Sequence, residues 1–208
     1  TNLGILGFFK YFNFFADNVE HVLELFGFEP DFITLKVVLP VGISFYTFQS
    51  MAYTIDVFRQ KADVCHNFIK FALYVSFFPQ LVAGPIERSQ HLIPQFENPK
   101  PLDGSRLQSG LMLLLLGFFK KIAIADPIAP YVLEVLEDPA SFSGERLLMT
   151  VYLFVFQLYA DFSGYSDIAR GAARLFGIDL IRNFEQPFFS TSVGEFWRRW
   201  HISLMSWF

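Results

Sequence analysis

The chain has 208 residues, of which 53% are hydrophobic and 17% charged, whereas soluble domains average roughly 25% charged residues. The apolar residues are clustered and Phe alone occurs 28 times, so the solvent of this chain is partly lipid. A formal net charge of −4 without any basic run argues against a nucleic-acid partner, and a lone cysteine, Cys65, excludes an internal disulfide framework.

In chain order, Leu3 to Phe15 is the first apolar stretch, interrupted by Lys10 and Asn13. Val19 to Phe28 mixes Glu20, His21 and Glu24 with Val22, Leu23, Leu25 and Phe26, which predicts an interfacial connecting helix ended by Gly27 and Pro30. Leu35 to Ile55 is a candidate span closed by Asp56, Arg59 and Lys61, and Phe68 to Ala83 is another, broken at Gly84-Pro85. Glu87 to Arg106 is polar and carries three prolines, which predicts a loop with at most a short helix.

Leu107 to Ala125 is a third candidate span. Its Lys120 and Lys121 are expected to snorkel to lipid headgroups. Glu134 to Arg146 reads as a loop. Leu147 to Ala160 runs into the polar string Asp161 to Asp167, followed by a helical stretch to Phe176 that Gly177 should end. Ile178 to Ser190 reads as irregular. Ser192-Val193-Gly194-Glu195 fits the S-x-x-E capping box, so a helix is predicted from Val193 to the last residue. The alternation of a membrane β-barrel is missing, and the fold class expected is all-α, a polytopic transmembrane helical bundle. Lys and Arg are spread over successive loops and set no orientation. The chain opens without Met and without a signal peptide, and closes at Phe208 inside an aromatic run; one domain over residues 1–208, the interior fragment of a longer protein, is expected.

Four positions or clusters could carry chemistry. His21, His66 and His91 lie in polar or interfacial segments with no partner at ligand spacing, so no metal site is expected. On the terminal helix, Trp197, Trp200, His201, Leu204 and Phe208 would share one face, placing an imidazole among tryptophans where its pKa can be tuned for proton transfer. The alternative is a structural histidine bonded to backbone. Arg198 and Arg199 read either as anchors for a phosphate-bearing acyl donor or as interface residues snorkelling to lipid phosphates. The string from Asp161 through Ser163 and Tyr165 to Asp167 reads either as a polar tunnel wall or as a helix-linking turn whose carboxylates pair with Arg170 or Arg174. It lacks the G-x-S-x-G pattern of a hydrolase elbow. The Phe78–Ile86 block, with Gln80 between Pro79 and Gly84-Pro85, reads as a cavity-lining element or a kinked span end.

These blocks carry a resemblance. PVGISFYTFQ at Pro40 to Gln49, FFPQLVAGPIER at Phe77 to Arg88, and GFFKKIAIAD at Gly117 to Asp126 resemble successive blocks of the membrane-bound O-acyltransferase (MBOAT) family. So do YADFSGYSDIARGAARLFGIDLIRNFEQPF at Tyr159 to Phe188 and EFWRRWHISLMSWF at Glu195 to Phe208. The pattern resembles most the bacterial alginate-type O-acetyltransferases, with the teichoic-acid D-alanylating branch sharing much of it. The resemblance implies a multi-pass enzyme of the bacterial inner membrane with a tunnel through it. No bound cofactor is implied. An acyl thioester such as acetyl-CoA would be the donor, and a cell-surface exopolysaccharide or an extracytoplasmic acetyltransferase partner the acceptor. His201 matches one of two histidines of this branch; the other, usually assigned as catalytic, is expected beyond Phe208. Gln80, Asp161, Ser163, Tyr165, Asp167, Trp197 and Trp200 are expected at the tunnel or substrate, and Arg198 and Arg199 at the donor. Two readings from other classes stand beside the enzyme: a transporter, which Gly/Pro-broken apolar segments also suit, and a non-catalytic membrane scaffold.

Overall fold

The structure, a computed structural model, describes residues 2–27, 40, 42–81 and 84–207. The regular structure among them is helical, and the only β pairing among them is a single bridge between Phe184 and Trp200. Helix α1 (Asn2–Leu25) runs unbroken across what the sequence divides into two segments. No proline or glycine interrupts it between Phe8 and Leu25, and it stops at Gly27, whose φ of 79° suits a residue without Cβ.

Helix α2 (Ile43–Phe58) covers the end of the Leu35–Ile55 stretch; residues 28–39 lie outside the described residues. Helix α3 (Phe68–Ser76) is capped by the Asn67 side chain, which accepts from the Ile69 and Lys70 amides. It ends well before Gly84-Pro85. The chain leaves the helix at Phe77, and Pro79 starts a short 3₁₀ turn, Phe78–Gln80. At nine residues α3 is too short to span a bilayer, contrary to the sequence expectation for Phe68 to Ala83. Helix α4 (Ser89–Glu97) is the short helix allowed for in the polar stretch.

Helix α5 (Gly104–Phe118) begins at Asp103, whose carboxylate accepts from the Arg106 amide. It passes without a break into a π-helical turn (Phe119–Ala125) and helix α6 (Asp126–Glu137). Pro127 and Pro130 have no N–H to give, and the ladder widens just ahead of them: the Asp126 amide reaches back five residues to the Lys121 carbonyl. Helical structure therefore consumes the first part of the loop predicted from Glu134. Helix α7 (Gly144–Leu175) follows, 32 residues capped by Ser143. The polar string does not interrupt it: Asp161 to Asp167 sits inside the helix, not in a linking turn. Among the described residues α7 alone is long and apolar enough to cross a membrane. Leu148, Val151, Tyr152 and Phe156 on it are more than half exposed.

Helices α5 and α7 run antiparallel and meet through glycine. Gly110 faces Gly171 and Gly117 faces Gly164: a Cβ on Gly117 would stand 2.6 Å from the Gly164 carbonyl oxygen, and one on Gly171 2.8 Å from that of Gly110. Small residues at such positions let two helix backbones approach closely. A second cluster joins α3 and α4 to the end of α7, with Tyr74, Phe77, Leu92, Ala169, Ala173, Ile178 and Leu180 as its buried members.

Just past α7, Asp179 gathers the surrounding cations. Both Arg106 guanidinium nitrogens donate to it, at 3.2 and 2.9 Å, and Lys100 at 2.8 Å. Arg174 lies 3.5 Å away, and Gln95 bonds both main-chain groups of Asp179. The Arg106 hydrogen bonds, with help from Lys100, hold the Asp179 carboxyl well below the usual carboxylate range.

Two predictions follow from this packing. Gly117→Ala should destabilise the detergent-solubilised protein by about 1–3 kcal/mol, read as a lowered thermal midpoint. Gly4→Ala, where nothing stands within 4 Å, should not lower it. Because the folded-state pKa of Asp179 is depressed, the stability it contributes is present above its unfolded pKa of about 4 and is lost as pH falls below that. Asp179→Asn should therefore lower the midpoint at pH 7 and flatten its acid-side decline; an equally steep decline in the variant would show that Asp179 does not carry it.

Candidate functional site

The predicted terminal helix is two pieces. Helix α8 (Val193–Arg199) and helix α9 (Ile202–Met205) are separated by Trp200 in extended conformation and His201 at φ 45°, ψ 54°. The single aromatic face expected to join Trp197, Trp200 and His201 is therefore not formed; Phe208, at its far end, lies outside the described residues. The cause of the break is pairing with the segment after α7. The Glu185 amide donates to the Arg199 carbonyl at 3.0 Å, and the Ile202 amide to the Asn183 carbonyl at 2.9 Å. These two bonds bracket Trp200 and His201 and pull them out of helical register. Left-handed geometry in a non-glycine residue costs about 1–2 kcal/mol and persists only where the surroundings impose it.

Ser192 caps α8 as predicted, accepting from the Glu195 amide at 3.2 Å. The other half of the capping box differs: the Glu195 carboxylate takes the Thr191 amide and hydroxyl, both at 2.8 Å, together with Arg199 at 2.6 Å.

The break turns the His201 ring onto α7. It meets Phe162 edge to face, centroids 4.6 Å apart at 89°. Its Nε2 is buried without a hydrogen-bond partner among the described residues, and burial pushes the imidazole pKa below its ordinary value. The ring therefore stays neutral, the form that can accept a proton, to lower pH than a solvated histidine does. Trp200 turns the other way, into a cluster with Phe184, Phe188, Phe196 and Tyr159. Trp197 stays on the surface, 46% exposed.

Around His201 the polar groups are buried. Ser163, Ser166, Asn183 and Ser203 are each at most 2% exposed. The Asn183 amide donates to Ser166 Oγ at 3.1 Å, while Ser163 Oγ has no hydrogen-bond partner among the described residues. Among the described residues no hydrogen bond links Ser163 Oγ or His201 Nε2 to Asp161, whose carboxylate faces Lys121 instead. Below this layer, the lysines expected at the headgroups instead point at α7. Lys120 pairs with Asp167 at 2.7 Å, and Lys121 with both Asp161 at 2.8 Å and Asp126 at 2.6 Å. With α5 and α7 in glycine contact, the acids on α7 stand within reach of both lysines, and ions in a low-dielectric setting pair where they can. Arg170 completes the set at 3.2 Å from Asp167. Tyr165, 37% exposed, has the Lys121 ammonium over its ring.

Arg198 and Arg199 part company. Arg199 joins Tyr159, Arg182, Phe184, Glu185 and Gln186 around a cavity of about 520 Å³, whereas Arg198 is exposed and does not line it. The guanidiniums of Arg182 and Arg199 give that cavity the means to hold an anion. Gln80 does not line this cavity. It is buried beside α3, donating to the Tyr74 carbonyl at 2.9 Å. His91, read as partnerless, is bonded through Nδ1 to the fully buried Glu87 at 2.7 Å, one helical turn before it. Among the described residues no three His, Cys, Asp or Glu side chains group as metal ligands. Sequence reasoning missed Asn183, Ser203 and Arg182. Asn183 and Arg182 stand in the RNF stretch of a long family block, which is the one signal that could have drawn attention to them.

Residues 31–208 match the model of the MBOAT, membrane-bound O-acyltransferase family. The probable alginate O-acetylase AlgI of Pseudomonas aeruginosa is 42% identical over 209 aligned positions, covering 100% of this chain and 39% of that protein. The peptidoglycan O-acetyltransferase of Helicobacter pylori is 37% identical, covering 98% of this chain and 43% of its own length. The teichoic acid D-alanyltransferase of Streptococcus thermophilus is 31% identical over 81% of the chain and 42% of its own length. The chain thus spans about two fifths of the curated relatives it matches. With blocks, helices and family model in agreement over the same residues, the chain belongs to the membrane-bound O-acyltransferase family.

Proposed function

We propose that the protein of which this chain forms part is a multi-pass O-acetyltransferase of the bacterial cytoplasmic membrane. It would move acetyl from a thioester such as acetyl-CoA to a hydroxyl of an exopolysaccharide, directly or through an extracytoplasmic partner protein. The observation that carries this reading is the partly buried His201 imidazole, set by a strained backbone edge-on against Phe162 of α7 in a chain 42% identical to an alginate O-acetylase.

In the reaction the hydroxyl oxygen bonds the acyl carbon while a base removes its proton. The tetrahedral oxyanion then collapses, the C–S bond breaks, and the thiolate leaves and is protonated, giving an O-acyl ester and a free thiol. The base role falls mainly to the second histidine of this branch, with His201 orienting it or holding the thioester. Asp161, Ser163, Tyr165 and Asp167 would brace the wall of the acyl path. Arg199, with Arg182, would hold an anionic group of the donor.

The D-alanyltransferase relatives support a second reading in which the acyl group is D-alanyl. Offering the purified full-length protein acetyl or D-alanyl thioester separates the two. His201→Ala in the full-length protein should lower acyl transfer by about 100-fold or more while membrane fractionation shows unchanged insertion. Turnover equal to wild type in that variant would remove His201 from the chemistry.

A further inference from the structure

We propose that Asn183 is the positioning residue that fixes the His201 imidazole for acyl transfer, by tying the strained backbone at His201 to Ser166 on α7. The inference rests on the functional reading of His201 given above.

Asn183 is 1% exposed and works in three directions. Its main-chain carbonyl accepts from the Ile202 amide at 2.9 Å, its Oδ1 takes the Ser203 amide at a longer 3.4 Å, and its Nδ2 donates to Ser166 Oγ at 3.1 Å. The first two hold the residues immediately after His201. The third anchors that hold to α7. Ser166 lies four residues, one helical turn, beyond Phe162, so both project from the same face of α7. Phe162 is the ring against which the imidazole stands edge-on. One amide therefore sets where the break in the terminal helices sits along α7, and hence which α7 side chain the imidazole faces.

A buried asparagine is expensive unless its groups are satisfied. If its task were only to close the segment after α7, its main-chain carbonyl would suffice, since any residue supplies one. The side-chain bonds to Ser166 and Ser203 are what an apolar residue could not make. Displacing a reacting group by about 1 Å can cost about 100-fold in rate, so a side chain that acts only by placing another can still weigh heavily on turnover.

The test uses the full-length protein in membranes, with acetyl thioester as donor and transfer followed against pH. Asn183→Ala should lower kcat by about 10- to 100-fold with a much smaller change in the KM for the thioester. The acid limb of the pH profile should move upward as the released imidazole becomes solvated. Ser166→Ala, which keeps Asn183 but removes its anchor, should move both readouts the same way by less, and serves if Asn183→Ala fails to insert. Combined with His201→Ala, Asn183→Ala should slow transfer no further. Wild-type kcat and pH profile in both Asn183→Ala and Ser166→Ala, or a further multiplicative loss in the double variant, would overturn the inference while leaving the role of His201 standing. Wild-type turnover in His201→Ala would instead overturn the functional reading, and this inference with it.

Discussion

Everything around His201 depends on how closely α5 and α7 approach. Glycines on both helices face each other in two layers seven residues apart, with a carbonyl of each helix lying where a side chain of the other would begin. That contact fixes α7 as a platform. It also brings the π-helical turn after α5 against the middle of α7, so the two lysines there find carboxylates within 3 Å. In water such pairs contribute little; on a helix long and apolar enough to cross a membrane, with apolar side chains exposed along it, leaving any one of these ions alone would be costly.

The platform also explains why the terminal helix breaks. Taken alone, residues from Val193 onward favour an unbroken helix, with a capping serine and apolar residues at helical spacing. Two main-chain hydrogen bonds to the segment after α7 outweigh that preference over Trp200 and His201. The local helical bonds lost there are few, whereas the rearrangement buries the imidazole against Phe162 and sends the Trp200 indole into an aromatic cluster. The two rings that helical spacing places side by side thus end in different surroundings, one among buried serines and Asn183, the other beside the arginine-lined cavity. A strained backbone conformation at a functional residue, held by its neighbours, is a usual way to store geometry for chemistry.

A separate layer of polar contacts on the α3–α4 side holds the segment after α7. The buried Glu87 carboxylate accepts the Ile181 amide as well as His91, and Asp179 draws in Arg106, Lys100 and Arg174. Residues 178 to 185 have little regular structure of their own, and these side chains, the burial of Ile178 and Leu180 and the main-chain bonds to the terminal segment together set their position. They in turn place Asn183, and through it His201.

The sequence by itself determined the class of the molecule. Scarce charge, clustered apolar residues, the cap at Ser192 and the helix end at Gly177 are local properties, and local physics reads them correctly. The ordered family blocks supplied the chemistry to be expected. Only the tertiary structure decided the outcome where two segments compete for the same groups. Lys120 and Lys121 could face phosphate or carboxylate, and α7 carried the carboxylate. Asp161 to Asp167 could be a turn or a helix, and the helical ladder prevailed, with the polar side chains paired to Lys120, Lys121, Arg170 and Asn183 without breaking it. His201 could sit on a continuous helical face or at a break, and Asn183, 18 residues away in sequence and in van der Waals reach only once folded, settled it in favour of the break. Periodicity describes one element at a time; hydrogen bonds between elements have no signature in it.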